Sequence, residues 1–478
     1  MGQDESIPKE NEKLAFSEGS ASIYMPAEYT ENEIFYNPVQ QFNRDLTCAV
    51  IQAYRNSIKD DISIFEAFAA SGLRSIRYAK EVFGVKKIVA NDLDPAAVEI
   101  IKRNISINGV SKLVTASQGD AREKMLENEN QFQVLDLDPY STAAPFLEGA
   151  VKAATDGALL CITSTDGRTL CGVQPDVAYS WYGCVPLNVE FGHEFGIRCL
   201  LTTLINIAAR LKRSIEPLIC LAANFYIRLF VRIHDNPMEA QKSAPLTSII
   251  FYSSDSRSFW LQPLGNYSIK NTNAVIRPPN VELEYTKDPY TGGPLKIGGP
   301  FYNGPLHNKE FIDKVLELLP TMHNLQTIPR IEGVLNCCRN EIDAPFYYDI
   351  GALTCIIKSS CPPRALIYTQ IERQNFHCSL THCDAGKIKT DAPSELIWDI
   401  CRKWYFGEGK KLPEADTAAK KILEAKPKYD VNLEIDEEIE QRIKREKKIC
   451  RYYQNPTSNF GPKAAAKKKH NTTETNKV

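Results

Sequence analysis

Between residues 62 and 164, apolar strand-like runs alternate with amphipathic helical runs, and this alternation restricts the chain to few architectures. ISIFEAF, KKIVAND, LVTASQGDA, FQVLDLD and GALLCITST read as strands. GLRSIRYAKEVF, PAAVEIIKRNISING, REKMLENEN and TAAPFLEGAVKAA read as helices, the second with Pro95 in its first turn. Strand–helix alternation at this spacing predicts an α/β fold with a parallel, doubly wound, Rossmann-like sheet. Such sheets bind ligands outside the carboxyl ends of their strands. The polar residues fall there: Glu66, Asp92, Asp120, Asp138 and Thr165.

At 478 residues the chain is too long for one core. The division read from composition is a disordered start over 1–30 and a sheet domain over 31–235. A Pro/Gly-rich connection over 236–305 follows, then a smaller α+β unit over 306–410 with a winged-helix-like outline, and a charged extension over 411–478. Apolar residues make up 43% and charged residues 24%, as in ordinary globular proteins, and no uncharged apolar run reaches the ~18 residues of a membrane span. The polar, acidic start MGQDESIPKENEKL is unlike a signal peptide, although Gly2 and Ser6 fit the loose myristoylation pattern. Fourteen cysteines occur without a CxxC pair, several in apolar runs (Cys161, Cys199, Cys220), which reads as buried free thiols in a reducing compartment. HCSLTHC, with His377, Cys378, His382 and Cys383, lacks a usual zinc-ligand spacing. From Gln441 onward eleven Lys or Arg face two Glu, after the acidic DVNLEIDEEIE. Such a tail suits a polyanion partner or nuclear import, or is simply a solvated tail. The expected location is intracellular, nuclear or cytoplasmic.

The first strand–turn–helix, EAFAASGLRSIR, has Gly72 but not the GxGxxG that accommodates a dinucleotide diphosphate. A single glycine suits a nucleoside carrying an amino-acid tail and disfavours a nicotinamide dehydrogenase. Asp92 lies some 20 residues past the turn, where a ribose-binding acid is expected. GDA brings Asp120 and Ala121 to the next strand end, and DPYS brings Asp138 and Tyr140 to the one after. Each alone is compatible with a turn or a helix cap; in this order together they describe S-adenosylmethionine. A carboxylate, proline and aromatic ring at a strand tip serve methyl transfer to an exocyclic amine. Acceptors aimed at the amine N–H groups favour a nucleophilic nitrogen and stabilise its developing positive charge. Proline fixes the backbone, and the ring offers a stacking face of about 1–3 kcal/mol.

FYNPVQQFNRDL, AASGLRSIRYAKE, ANDLDP with KRNISING, LDLDPYST, LCITSTD with LCG, FYIRLFVRI, THCDAGKIKTDAP and NPTSNFGPK carry a resemblance over roughly residues 20–465. The chain resembles the tRNA (guanine-26-N2)-dimethyltransferase family. The resemblance implies that tRNA is the partner and that guanosine 26 receives one or two methyl groups on N2. It further implies that Arg44, Arg74, Asp92, Asp120 and Ala121 bind the cofactor, that Asp138 is catalytic, and that Phe35 and Tyr140 sandwich the guanine. The family more often has phenylalanine and then glycine where this chain has Tyr140 and Ser141. The cysteine cluster common before GGP is missing from LEYTKDPYTGGPLKIGGP, so no metal is expected. The alternatives are an amine methyltransferase acting on adenine or glutamine, which the DPYS chemistry equally suits, and a non-catalytic tRNA-binding protein, which failure to bind S-adenosylmethionine would favour.

Overall fold

The computed structural model describes residues 8, 11–28, 36–223, 225–270, 273–281 and 286–446. Phe35, the Gly2–Ser6 pattern, NPTSNFGPK and the basic tail from 447 lie outside the described residues.

The start of the chain departs from the expected disorder. β1 (Glu12–Glu18) and β2 (Ala21–Pro26) form an antiparallel hairpin. Its period-two pattern buries Ala21, Ile23 and Met25, while Asn104 and Asn108 hydrogen-bond its backbone at Tyr24 and Ser22.

The sheet domain runs α1 (Gln41–Asn56), β3 (Ile62–Glu66), α2 (Leu73–Glu81), β4 (Val85–Asp92), α3 (Pro95–Ile107) and β5 (Val114–Gln118). It continues with α4 (Ala121–Leu126), β6 (Phe132–Leu137), α5 (Leu147–Ala153), β7 (Ala154–Ser164), α6 (Gly167–Leu170) and α7 (Pro175–Tyr182). α8 (Gly192–Arg210), β8 (Ser214–Ala223) and β9 (Tyr226–His234) complete it. The seven strands lie in the order β5-β4-β3-β6-β7-β9-β8. β3 to β7 are parallel, as the alternation predicts. The sheet is nevertheless mixed, because β9 is antiparallel to both β7 and β8. Only residues 224 and 225 separate β8 from β9, too few for the crossover that a parallel pair needs.

Successive residues of the parallel strands enter different cores. Phe65, Leu135 and Leu160 face α4, α5 and α8; Ile64, Val134 and Leu159 face α1, α2 and α3. Burial on both faces explains why these strands read as continuous apolar runs.

After the short α9 (Pro237–Ala240) come β10 (Thr247–Ser253), β11 (Phe259–Pro263), β12 (Asn266–Lys270), β13 (Asn273–Arg277) and β14 (Leu295–Tyr302). β10 is the centre of a three-stranded antiparallel sheet with β11 and β14, so the Pro/Gly-rich stretch is not merely a connection. Composition alone places α10 (Lys309–Leu318) and α11 (Ile328–Asn340) in the C-terminal unit. Their residues Phe311, Ile312, Ile331 and Leu335 instead join the core formed with α1.

The C-terminal unit proper contains α12 (Ile350–Ile356), α13 (Arg364–Arg373), the antiparallel pair β15 (Cys378–Leu380) and β16 (Ile388–Thr390), and α14 (Ser394–Gly407). Helix, helix and strand pair follow in the anticipated order. α15 (Ala418–Glu424) and α16 (Glu437–Arg445) pack onto this unit through Ile422, Leu423, Ile439 and Ile443, so the charged extension is folded at least to 445. Cys199, expected as a free thiol, is joined to Cys184 as a disulfide; their Cα atoms are 6.0 Å apart. A 15-residue separation carries no local motif that would reveal the pair in the sequence. No helix among the described residues is long and apolar enough to cross a membrane.

Candidate active site

The turn after β3 sets the cleft. Gly72 lies in the left-handed region at φ +81°, where a side chain would strain the backbone, and Ala70 accepts the same region at φ +50°. This curl aims the Ala70 N–H at Asp92 Oδ2 over 2.8 Å, while the Asp94 N–H donates to Oδ1 over 3.0 Å. The tip of β4 is thereby fixed against the tip of β3. A cavity of about 480 Å³ opens above them. Arg44, Arg74, Asp92, Asp138 and Tyr140 all line it, so five of the sequence-derived residues converge at one place. A wider groove of about 990 Å³, lined by Glu216, His234 and Glu239, contains none of them.

Asp138 stands at the cavity with its side chain 23% exposed, ion-paired to Arg74. Arg74 also approaches Asp136 at 3.6 Å. Asp136 is fully buried and accepts hydrogen bonds from the Arg228 guanidinium (2.8 Å) and the Tyr78 hydroxyl (2.5 Å). Burial works to raise its pKa, but the Arg228 and Arg74 guanidiniums hold the carboxyl below its ordinary range. The chain Arg228–Asp136–Arg74–Asp138 therefore fixes where the exposed carboxylate points. Tyr140 projects at the mouth, 67% exposed. Ser141, where relatives more often have glycine, has φ +69°; the Thr165 hydroxyl and N–H brace it, accepting from its N–H and donating to its carbonyl. The left-handed turn is kept without glycine.

Arg44 is held in the wall by Glu18 of the N-terminal hairpin, through contacts of 2.6 and 2.5 Å. Glu18 also meets Arg77 at 2.7 Å, and Arg77 reaches Asp45 at 2.7 Å. Sequence reasoning misses Glu18, because the polar stretch that carries it reads as disordered. Glu66, at the tip of β3, accepts from the Ser75 N–H over 2.9 Å, and burial pushes its carboxyl up to about 8.

Asp120 and Ala121 are placed differently from the other predicted residues. Asp120 caps α4 through the Arg122 N–H and pairs with the Arg122 guanidinium at 2.5 Å; Ala121 is buried in the first turn. Neither lines the cavity, although the Gly119 N–H donates to the Asp92 carbonyl and keeps their loop beside it.

HCSLTHC does not gather into one cluster. His377 pairs with Asp391 at the surface, whereas His382 joins His307, Cys338 and Glu341 in a buried group whose ligand atoms lie within 4.8 Å of one another. These four could hold a divalent ion by donor type. The bonding favours a polar joint instead. Glu341 accepts from Lys389 Nζ (2.7 Å) and His382 Nδ1 (2.8 Å), and His382 Nε2 accepts from the Ala222 N–H (3.3 Å). Burial holds His307 well below its ordinary pKa and raises the Cys338 thiol. Lys389 already provides the cation that Glu341 needs.

A doubly wound sheet carrying an acid at one strand tip and DPYS at another, around a cleft sized for a nucleoside with a tail, defines an S-adenosylmethionine-dependent methyltransferase. The family model for N2,N2-dimethylguanosine tRNA methyltransferases matches residues 17–402. The chain is 35% identical to the mitochondrial tRNA (guanine(26)-N(2))-dimethyltransferase of Saccharomyces cerevisiae, over 94% of this chain and 91% of that one. It is 34% identical to the Mus musculus tRNA (guanine(26)-N(2))-dimethyltransferase, over 97% of this chain and 78% of the relative. Trm1 from Pyrococcus horikoshii, solved in complex with S-adenosyl-L-methionine, shares the fold with a TM-score of 0.69 at 24% identity, covering 80% of this chain and 98% of that one. The chain belongs to the N2,N2-dimethylguanosine tRNA methyltransferase family.

Proposed function

We propose that this chain methylates N2 of guanosine 26 in tRNA, once and then again, with Asp138 as the group that engages the amine. The observation that carries this reading is the position of Asp138. Of the carboxylates that line the cleft, it is the one ion-paired to Arg74, and it stands near the exposed ring of Tyr140.

The cleft suits the cofactor. Asp92 offers its remaining lone pairs to a ribose diol, and Arg74, which ion-pairs with Asp136 through Nη1 and with Asp138 through Nη2, lines the wall beside it. Arg44 adds positive charge to the same wall. When bound, S-adenosylmethionine supplies an electrophilic sulfonium methyl. Asp138 accepts from the guanine amine, turning its lone pair out of the ring system and stabilising the cationic nitrogen as the bond to carbon forms. Tyr140 supports the base, and holding the nitrogen in line contributes the orientational share of the rate. The proton lost from nitrogen leaves through Asp138 to solvent, for which its partial exposure suits it.

The test is mass analysis of nucleosides from tRNA incubated with the protein and S-adenosylmethionine. N2-methylguanosine and N2,N2-dimethylguanosine at position 26 are expected; methyladenosine, or no methylated nucleoside, would refute the assignment.

A further inference from the structure

Phe225 occupies a partly exposed position that burial disfavours for a phenylalanine. Residues 224 and 225 alone link β8 to β9, with Ala223 paired to Tyr226. Phe225 is 41% exposed there, while Tyr226 beside it is 4% exposed. Keeping a large apolar ring in water forgoes the stabilisation its burial would give. That ring lines the cleft together with Asp138, Tyr140 and Thr165.

The hairpin is also tied to the reacting end of the site. Arg228, three residues further on, donates to Asp136 (2.8 Å), to the Thr163 hydroxyl (2.7 Å) and to the Thr47 hydroxyl (2.9 Å). Asp136 lies against Arg74, and Arg74 against Asp138. The turn is therefore held in register with the carboxylate that engages the amine, as a contact surface for the same base must be.

We propose that Phe225 is a further substrate-contacting residue, whose ring walls the guanine slot alongside Tyr140. The inference rests on the function proposed above. A base taken out of its stack loses the faces of its neighbours, and an aromatic side chain at the cleft mouth replaces one of them. Phe225 takes no part in the bond changes; it holds the base where Asp138 can act.

The test uses the full-length protein, S-adenosylmethionine, and tRNA with either guanosine or 2-aminopurine at position 26. Phe225→Ala should lower methylation at limiting tRNA on the order of 10-fold. It should also weaken the fluorescence quench of the 2-aminopurine, to which Tyr140 still contributes, while binding S-adenosylmethionine as the wild type does. Phe225→Tyr, which retains a ring, should recover most of the loss. Methylation and quench both unchanged in Phe225→Ala, with an active wild type, would overturn the inference and leave the function standing. A parallel loss of cofactor affinity would make Phe225 a prop of the cleft and overturn it too. A wild type that leaves guanosine 26 unmethylated would remove the function and this inference together.

Discussion

At the cleft, Asp136 lies between Arg74 and Arg228; at the joint between the sheet domain and the C-terminal unit, Glu341 lies between Lys389 and His382. Both are buried carboxylates with cationic and hydrogen-bonding partners, and both are assembled from distant parts of the chain. At the joint the partners are sealed: Glu194, Arg198, Lys389, Glu341 and His382 are all buried, and opposite charges meet within the cluster. At the cleft the network continues to a carboxylate that is partly exposed and borders a cavity. A buried ionic cluster that closes on itself orients domains. One that ends in an open cavity places a charge where a ligand can use it.

The largest effect that separates the two is expected at the joint. Lys389→Met leaves Glu341 and Glu194 without their shared cation and should cost about 3–5 kcal/mol of stability. Cofactor affinity of the folded fraction, followed by calorimetry beside denaturant unfolding, should stay near wild type. A matching loss of cofactor affinity would mean the two clusters are not independent.

A smaller effect belongs to the cleft. Asp92→Ala should weaken S-adenosylmethionine binding by about 1.5–3 kcal/mol, because it removes the proposed ribose acceptor. The same change also releases the Ala70 and Asp94 N–H groups, so unfolding should be measured alongside. Unchanged affinity in a folded variant would remove Asp92 from the ribose site.

The smallest concerns Glu66. Its folded-state pKa is raised to about 8, so between the unfolded value near 4.5 and about 8 the folded protein holds a proton that the unfolded chain has released. Stability contributed by this group is full below about 4.5 and declines as pH rises toward 8. Glu66→Gln, which mimics the protonated form, should lose roughly 1–3 kcal/mol less than wild type between pH 6 and 8. Equal pH slopes for the two proteins would show that Glu66 is ionised in the fold.

How much of the site is legible in the sequence follows from distance along the chain. Gly72, Asp92 and Asp138 announce themselves because alternation fixes the strand ends, and a glycine or carboxylate there breaks an apolar run at the rim where ligands bind. Asp120 shows the limit of that logic: the strand-end position is right, but the side chain caps its own helix. Arg228 and Asp136 are 92 residues apart, and Asp45 receives the Thr327 hydroxyl from 282 residues away. No local pattern encodes such partners. The antiparallel β9 is hidden differently, since an apolar strand reads the same in either direction.

The central claim is that Asp138 engages the guanine amine, and single-turnover methylation of tRNA by Asp138→Asn, with cofactor binding measured in parallel, tests it most directly. The amide keeps one acceptor oxygen but loses the charge and can present a donor where acceptors are needed. The account predicts a rate at least about 100-fold below wild type with S-adenosylmethionine affinity nearly intact. Near-normal turnover by Asp138→Asn would contradict it and assign activation of the amine to another group.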